Sequence, residues 1–151
     1  MAGGDYSCET ITSLSDGCTV TQKTAIALLG ISGRMGRALL SGNHQSTELR
    51  LSGGLDSPDS PWVNQDAGLL VGSATTGVMI SADAAKAIQS AQSAIAFALP
   101  QATPSILAAC VSAKVPLVLG TTGHSTEQRA AIDAAAKQIP IVMASNFSLG
   151  V

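Results

Sequence analysis

Aromatic residues are nearly missing from this chain: one Trp, one Tyr and two Phe among 151 residues. Its interior must therefore be built from Ala, Val, Ile and Leu, which suits helices packed closely on a parallel sheet. Charge is scarce as well. Asp, Glu, Lys and Arg supply 12% of the residues, and the net charge is -2. A chain with no basic excess lacks the face that nucleic acids need, so that class of partner is excluded. No apolar run approaches the ~18 residues of a membrane span. Residues 1–23 have neither a basic cluster nor an apolar core, so they do not read as a signal peptide. Their Ser, Thr, Gly and acidic content reads instead as a flexible polar tail. The three cysteines, Cys8, Cys18 and Cys110, show no CxxC spacing. That excludes a zinc knuckle and a disulfide framework and leaves reduced thiols in a cytoplasmic protein as the expectation. Few charges with positive mean hydropathy point to apolar surface that something else covers.

What is present is an alternation of apolar runs and helical patterns from Thr24 onward, on a length that suits one domain. Residues 25–29 (AIALL) read as a buried strand, and residues 34–41 open a helix. Residues 48–55 alternate with period two and read as a second strand. Residues 56–77 form a loop long enough to carry structure or function of its own. Residues 78–80 and 94–99 are further strands, with an Ala-rich helix from Asp83 to about Ser90 between them. Thr103 followed by Pro104 predicts a hydroxyl-capped helix running to about Ala113. Residues 117–119 form the next strand, closed by Gly120 and Gly123. Ser125 with Gln128 makes a capping box for a helix over residues 126–138. Residues 141–143 are the last strand. Repeated strand–helix units predict an α/β fold, a parallel sheet with helices on both faces.

Gly30, Gly33 and Gly36 stand in GISGRMGR, between the first strand and the first helix. This G-x-x-G-x-x-G run is a variant of the dinucleotide fingerprint. Its first glycine permits the turn, its second admits a pyrophosphate, and its third lets the helix pack on the sheet. The helix start would offer free N–H groups and a positive dipole end to the phosphates. Asp56 ends the second strand, where a carboxylate meets the ribose hydroxyls of NAD. The bland readings are a turn that binds nothing and a loop-capping aspartate. Arg34 is placed to reach the nucleotide, and Arg37 reads as solvated or paired. Ser57, beside Asp56, is not basic, which leaves a 2′-phosphate without a cation and favours NADH over NADPH.

GISGRMGR, LGTTGHS and ASNFSLGV together resemble the 4-hydroxy-tetrahydrodipicolinate reductase (dihydrodipicolinate reductase) family over residues 24–151. The resemblance implies a Rossmann-type doubly wound parallel sheet without the family's C-terminal substrate and tetramerisation domain. It implies that Gly30, Ile31, Ser32, Gly33, Arg34 and Met35 line the pyrophosphate and that Asp56 takes the ribose. Gly120, Thr121 and Thr122 would lie beside the nicotinamide, with Thr122 also near a substrate carboxylate. Ala144, Ser145, Asn146 and Phe147 would close over the nicotinamide end. For Thr121 and Thr122 a plain turn is the alternative, and for Asn146 a bond to its own loop backbone.

Two departures qualify the resemblance. Ala96 stands where many members carry an acidic residue, and the family's H-H-x-x-K segment and its substrate-gripping G-T are absent. His44 reads as a surface residue and His124 as part of a helix start or of the nicotinamide pocket. The expectation is thus a cofactor-binding half that takes NADH or NADPH without turnover, ends at the hinge and self-associates. It would meet a dicarboxylate substrate only if the missing domain were supplied. A stand-alone NAD(H)-binding module or partner subunit is the alternative, and another amino-acid dehydrogenase half a more distant one.

Overall fold

The structure is a computed structural model that describes residues 22–147. All but two residues of the expected tail, with Cys8, Cys18 and the final residues 148–151, lie outside the described residues.

The first strand, β1, is Thr24–Leu29, buried from Ala25 onward. Its unbroken apolar run reflects cover on both faces. Helix α1, Arg34–Gln45, and strand β2, Leu49–Leu55, follow. Next come β3 (Ile80–Ser81), α2 (Ala84–Ile88), β4 (Ser93–Ala96), α3 (Thr103–Ala113), β5 (Leu117–Leu119), α4 (Thr126–Ala136) and β6 (Ile141–Met143). The six strands pair in parallel in the order β3-β2-β1-β4-β5-β6. This is the doubly wound order in which direction reverses between β1 and β4.

Period two along the strands divides the interior into two layers. Ile26, Leu28, Leu51 and Ile80 face α1 through Leu40, with Ala67 and Leu70 beside them. Ala27, Leu29, Ala94, Ala96, Leu117 and Leu119 face Ile88, Ile106, Cys110 and Ile132 of α2, α3 and α4. Ala96 is fully buried there, so a carboxylate at this position would need a buried partner. Burial pushes the Cys110 thiol up to about 11. The long 56–77 loop does carry structure: a 3-10 turn, Ala67–Val71, whose Leu70 enters the α1-side layer. It covers the sheet where another helix would otherwise lie.

Several boundaries differ from the sequence reading, each for a local reason. The strand expected over 78–80 is Ile80–Ser81, because residues 64–67 take the backbone just before it. Ala67 N–H donates to Val78 O at 2.9 Å, Ile80 N–H to Gln65 O at 2.9 Å, and Asp66 bridges Met79 in antiparallel sense. Period two fails at Gly53 and Gly54, since a register shift opposite Ile26 and Ala27 skips Ser52. The Ser52 hydroxyl donates to Ile26 O at 3.1 Å, and a Cβ at Gly53 would enter Ala87 O. β4 stops at Ala96, three residues early, because the chain bends into a 3-10 turn at Pro100–Ala102. That turn also displaces the expected cap: Thr103 is already helical, and its hydroxyl meets His124 Nε2 at 3.1 Å. The Ser125–Gln128 capping box forms, but α4 ends at Ala136 because Gln138 and Ile139 N–H groups both donate to Ala135 O.

Candidate functional site

The loop from β1 to α1 turns under tight constraint. Gly30 has φ +82, and a Cβ there would lie 2.7 Å from Phe97 O and 2.8 Å from Ala98 Cα. Its N–H and that of Ile31 both donate to Leu55 O, at 2.8 and 3.0 Å, which fixes the loop to the end of β2. A Cβ at Gly36 would press into the carbonyl oxygens of Gly30 and Ile31. The start of α1 therefore lies directly on the loop. Gly33 is the N-cap residue, no side chain caps the helix, and the first turn holds no acid. Asp or Ser at that cap would occupy the first-turn amides. Glycine leaves them for another acceptor, and the helix dipole favours an anion.

Beside this loop lies a crevice of about 930 Å³ at the carboxyl ends of the strands. It is bounded by Gly30, Ser32 and Gly33, then by residues 55–58 at the end of β2 and residues 82–85 at the start of α2. Residues 97–99 after β4, Gln101 and Ala102 of the 3-10 turn, and Ser105, Ala108 and Ala109 of α3 complete it. The position above β1 and β4 is the reversal point of the sheet, where open α/β folds bind ligands. Asp56, half-buried, accepts a hydrogen bond at Oδ2 from the Ser60 hydroxyl at 2.5 Å. Asp83 caps α2 by accepting from Ala85 N–H at 2.9 Å. Among the described residues of this wall there are two carboxylates and no Lys, Arg or His.

The expected site residues divide in two. Gly30, Ser32, Gly33 and Asp56 share the crevice. The Ile31 side chain is fully buried in the α1-side layer, so only its backbone belongs to the loop. Arg34 and Met35 are exposed on the first turn of α1 and are not part of the crevice wall. Gly120 lies against the Phe97 ring, where a Cβ would collide with it. The Thr121 hydroxyl donates to Ala98 O at 3.0 Å and ties the β5 turn to the β4 turn, while Thr122 is exposed. Ala144 N–H reaches Leu119 O at 3.4 Å. Ser145 and Asn146 follow as exposed residues, and the Phe147 ring meets Phe97 edge-on with centroids 6.0 Å apart. Both later segments thus reach the crevice through Phe97. His124 sits at the start of α3, and His44 Nε2 lies 3.0 Å from the Ser73 hydroxyl.

Sequence reasoning missed two residues and the partners of a third. Phe97 is the shared contact of the crevice, the GTTG turn and Phe147. Asp66 organises the 66–77 loop, accepting from Gly68 N–H, Thr76 N–H and Gly77 N–H at 2.8 Å each. Arg37 takes the paired one of its two expected states: its Nε donates to Ser32 O at 2.8 Å and its Nη1 to Leu70 O at 3.0 Å. The D-x-G spacing at Asp66 was a usable signal for an Asx turn. The acceptors of Arg37 are main-chain carbonyls and leave no signal.

Residues 24–147 match the family described as dihydrodipicolinate reductase, N-terminus. The chain belongs to that family. The matched part is the reductases' N-terminal, nucleotide-binding domain. The chain is similar to the 4-hydroxy-tetrahydrodipicolinate reductase of Nitrosomonas eutropha, with 44% identity over 126 residues, 83% of this chain and 47% of that protein. The enzyme of the same name from Chromobacterium violaceum is 46% identical, with the same two coverages of 83% and 47%. The chain spans about half the length of the curated relatives it matches. Among solved structures, the dipicolinate-bound dihydrodipicolinate reductase from Paenisporosarcina sp. TG-14 aligns with TM-score 0.66 and 20% identity. That alignment covers 83% of this chain and 48% of the other. GenD2 from gentamicin A biosynthesis, in complex with NAD, aligns with TM-score 0.54 and 19% identity over 90% of this chain and 38% of the other. Both share the fold of this chain. Among the described residues no helix is long and apolar enough to cross a membrane.

Proposed function

We propose that residues 24–151 form the NAD(P)H-binding unit of a 4-hydroxy-tetrahydrodipicolinate reductase. The whole enzyme would transfer hydride to a cyclic dicarboxylate on the route to diaminopimelate and lysine. The observation that carries the reading is the crevice itself. It joins an uncapped helix start, a glycine turn that no side chain can enter, and a carboxylate at the end of β2. A dinucleotide fits this arrangement: its diphosphate against the amides of Ser32, Arg34 and Met35, and its adenosine ribose against Asp56. Phe97, Gly120 and residues 144–147 would adjoin the nicotinamide end, with Thr122 the exposed residue that faces substrate. The bound nucleotide supplies the hydride; this stretch of chain supplies its binding and orientation.

NADH is the favoured nucleotide. Asp56 and Asp83 lie on the same wall, Ser57 follows Asp56, and the wall holds no cation to pair with a 2′-phosphate. Because the 151 residues contain no H-H-x-x-K segment, this stretch alone is expected to bind without turnover.

Calorimetric titration with NADH and NADPH tests the reading. NADH should bind the more tightly, and Asp56→Ala should weaken it roughly ten- to a hundredfold, the worth of charge-assisted bonds to the ribose. A folded chain that takes up neither nucleotide overturns the proposal. A tighter NADPH complex overturns the preference alone.

A further inference from the structure

Arg37 lies on the first turn of α1, yet its side chain leaves the crevice. The half-buried guanidinium bridges two main-chain oxygens from distant parts of the chain, Ser32 O at 2.8 Å and Leu70 O at 3.0 Å. It also lies over the Trp62 ring, 5.4 Å from the centroid. Neither Arg37, Trp62 nor Leu70 belongs to the crevice wall, whereas Ser32 does. The Ser32 carbonyl is therefore drawn to the side of the loop away from the crevice. The next N–H, that of Gly33, is committed to Gly30 O at 3.2 Å. Both ends of the Ser32–Gly33 peptide are thus held.

The orientation of that peptide matters for an anion. A carbonyl turned into the crevice would present negative charge where the phosphates lie, and a bond to a cation is the strongest means of keeping it out. We infer that Arg37 is a positioning residue for the nucleotide's diphosphate, acting through the Ser32 carbonyl. It holds that oxygen out of the cradle and anchors the cradle to the 62–70 segment through Leu70 and Trp62. This role rests on the nucleotide-binding reading given above. Lysine cannot reproduce it, because one ammonium lacks the planar fork that reaches two carbonyls while stacking on a ring.

Calorimetry on the 151-residue chain separates the possibilities, with three probes: NADH, ADP-ribose, which carries the diphosphate, and adenosine, which carries no phosphate. Arg37→Met should bind NADH and ADP-ribose about tenfold or more weakly, with adenosine affinity unchanged and thermal melting still cooperative. Arg37→Lys should fall between it and the unsubstituted chain. Equal ADP-ribose affinity in a folded Arg37→Met, or a parallel loss of adenosine, overturns the positioning role. Should Arg37→Met fail to fold, Arg37→Lys decides: a severalfold loss confined to the two diphosphates supports the role, and no loss overturns it. Failure of the unsubstituted chain to bind any of the three probes removes the nucleotide reading itself, and the role of Arg37 with it.

Discussion

At the level of single residues, the glycines of the first loop are constrained by main chain rather than by neighbouring side chains, so substitution has no easy relief. The wall that a Cβ at Gly36 would strike is the carbonyl pair of Gly30 and Ile31. Those residues are themselves anchored to Leu55 O. The helix must lift off the loop to admit a methyl group. Gly36→Ala is expected to lose about 1–3 kcal/mol of stability, the usual cost of overpacking. Urea denaturation measures it, and a loss under 0.5 kcal/mol, by the surface-substitution range, would show that the contact yields freely. Gly30 and Gly36 were legible in the sequence because backbone geometry leaves glycine as the only solution at fixed spacing. Asp56 was legible for a related reason, since the end of a strand fixes where its carboxylate emerges. For Arg37 pairing was one of two readings, and the partners were not legible. Its spacing puts it on the first turn, but only the fold brings Leu70 O and Trp62 to meet it.

Between elements, the 56–77 segment shows where local patterns mislead. Val78 and Met79 read as strand, but residues 64–67 pair with them first, and β3 begins only at Ile80. The other five strands and all four helices were legible in kind because apolar runs and caps are local signals. Thr103 was misjudged because the 3-10 turn before it arises from how the chain leaves β4. The loop depends on Asp66, whose carboxyl is held below the ordinary range, first by the Thr76 amide, then by the Gly68 and Gly77 amides and the Thr76 hydroxyl, against desolvation. A carboxyl lowered in the folded state contributes stability that is fully present above its unfolded pKa, about 3.9. That contribution is lost as pH falls through the folded value. Acidification below about pH 4 should therefore loosen this loop. Trp62, the single tryptophan, packs on the same layer as Leu70 and reports it by fluorescence. Asp66→Asn should show the loosened signal already at neutral pH and lose the acid-dependent step. An unchanged acid transition in the variant would assign it to other carboxylates.

Over the whole molecule, the two edges of the sheet are finished differently, and this bears on association. At one edge β3 is two residues long, and its approach is occupied by the bridge from Asp66 to Met79. At the other edge, β6 pairs with β5 on one side, and among the described residues no strand lies on its outer side. Val142 is 58% exposed, Met143 50% and Phe147 41%, so open backbone groups and apolar side chains coincide there. Such an edge is a template for another strand. In a chain with a net charge of only -2, little repulsion opposes its meeting a second copy of itself. Self-association is expected to grow with concentration and to run through β6. Val142→Lys places a charge on the edge, a substitution that blunts strand pairing, and it leaves the crevice untouched. Light scattering over a hundredfold range of concentration should show the unsubstituted chain gaining mass and Val142→Lys remaining closer to monomer. A constant monomer mass in the unsubstituted chain would mean that the β6 edge is closed in solution. Equal association in both would move the contact to another face, with Leu99, 73% exposed beside the crevice, the next residue to charge.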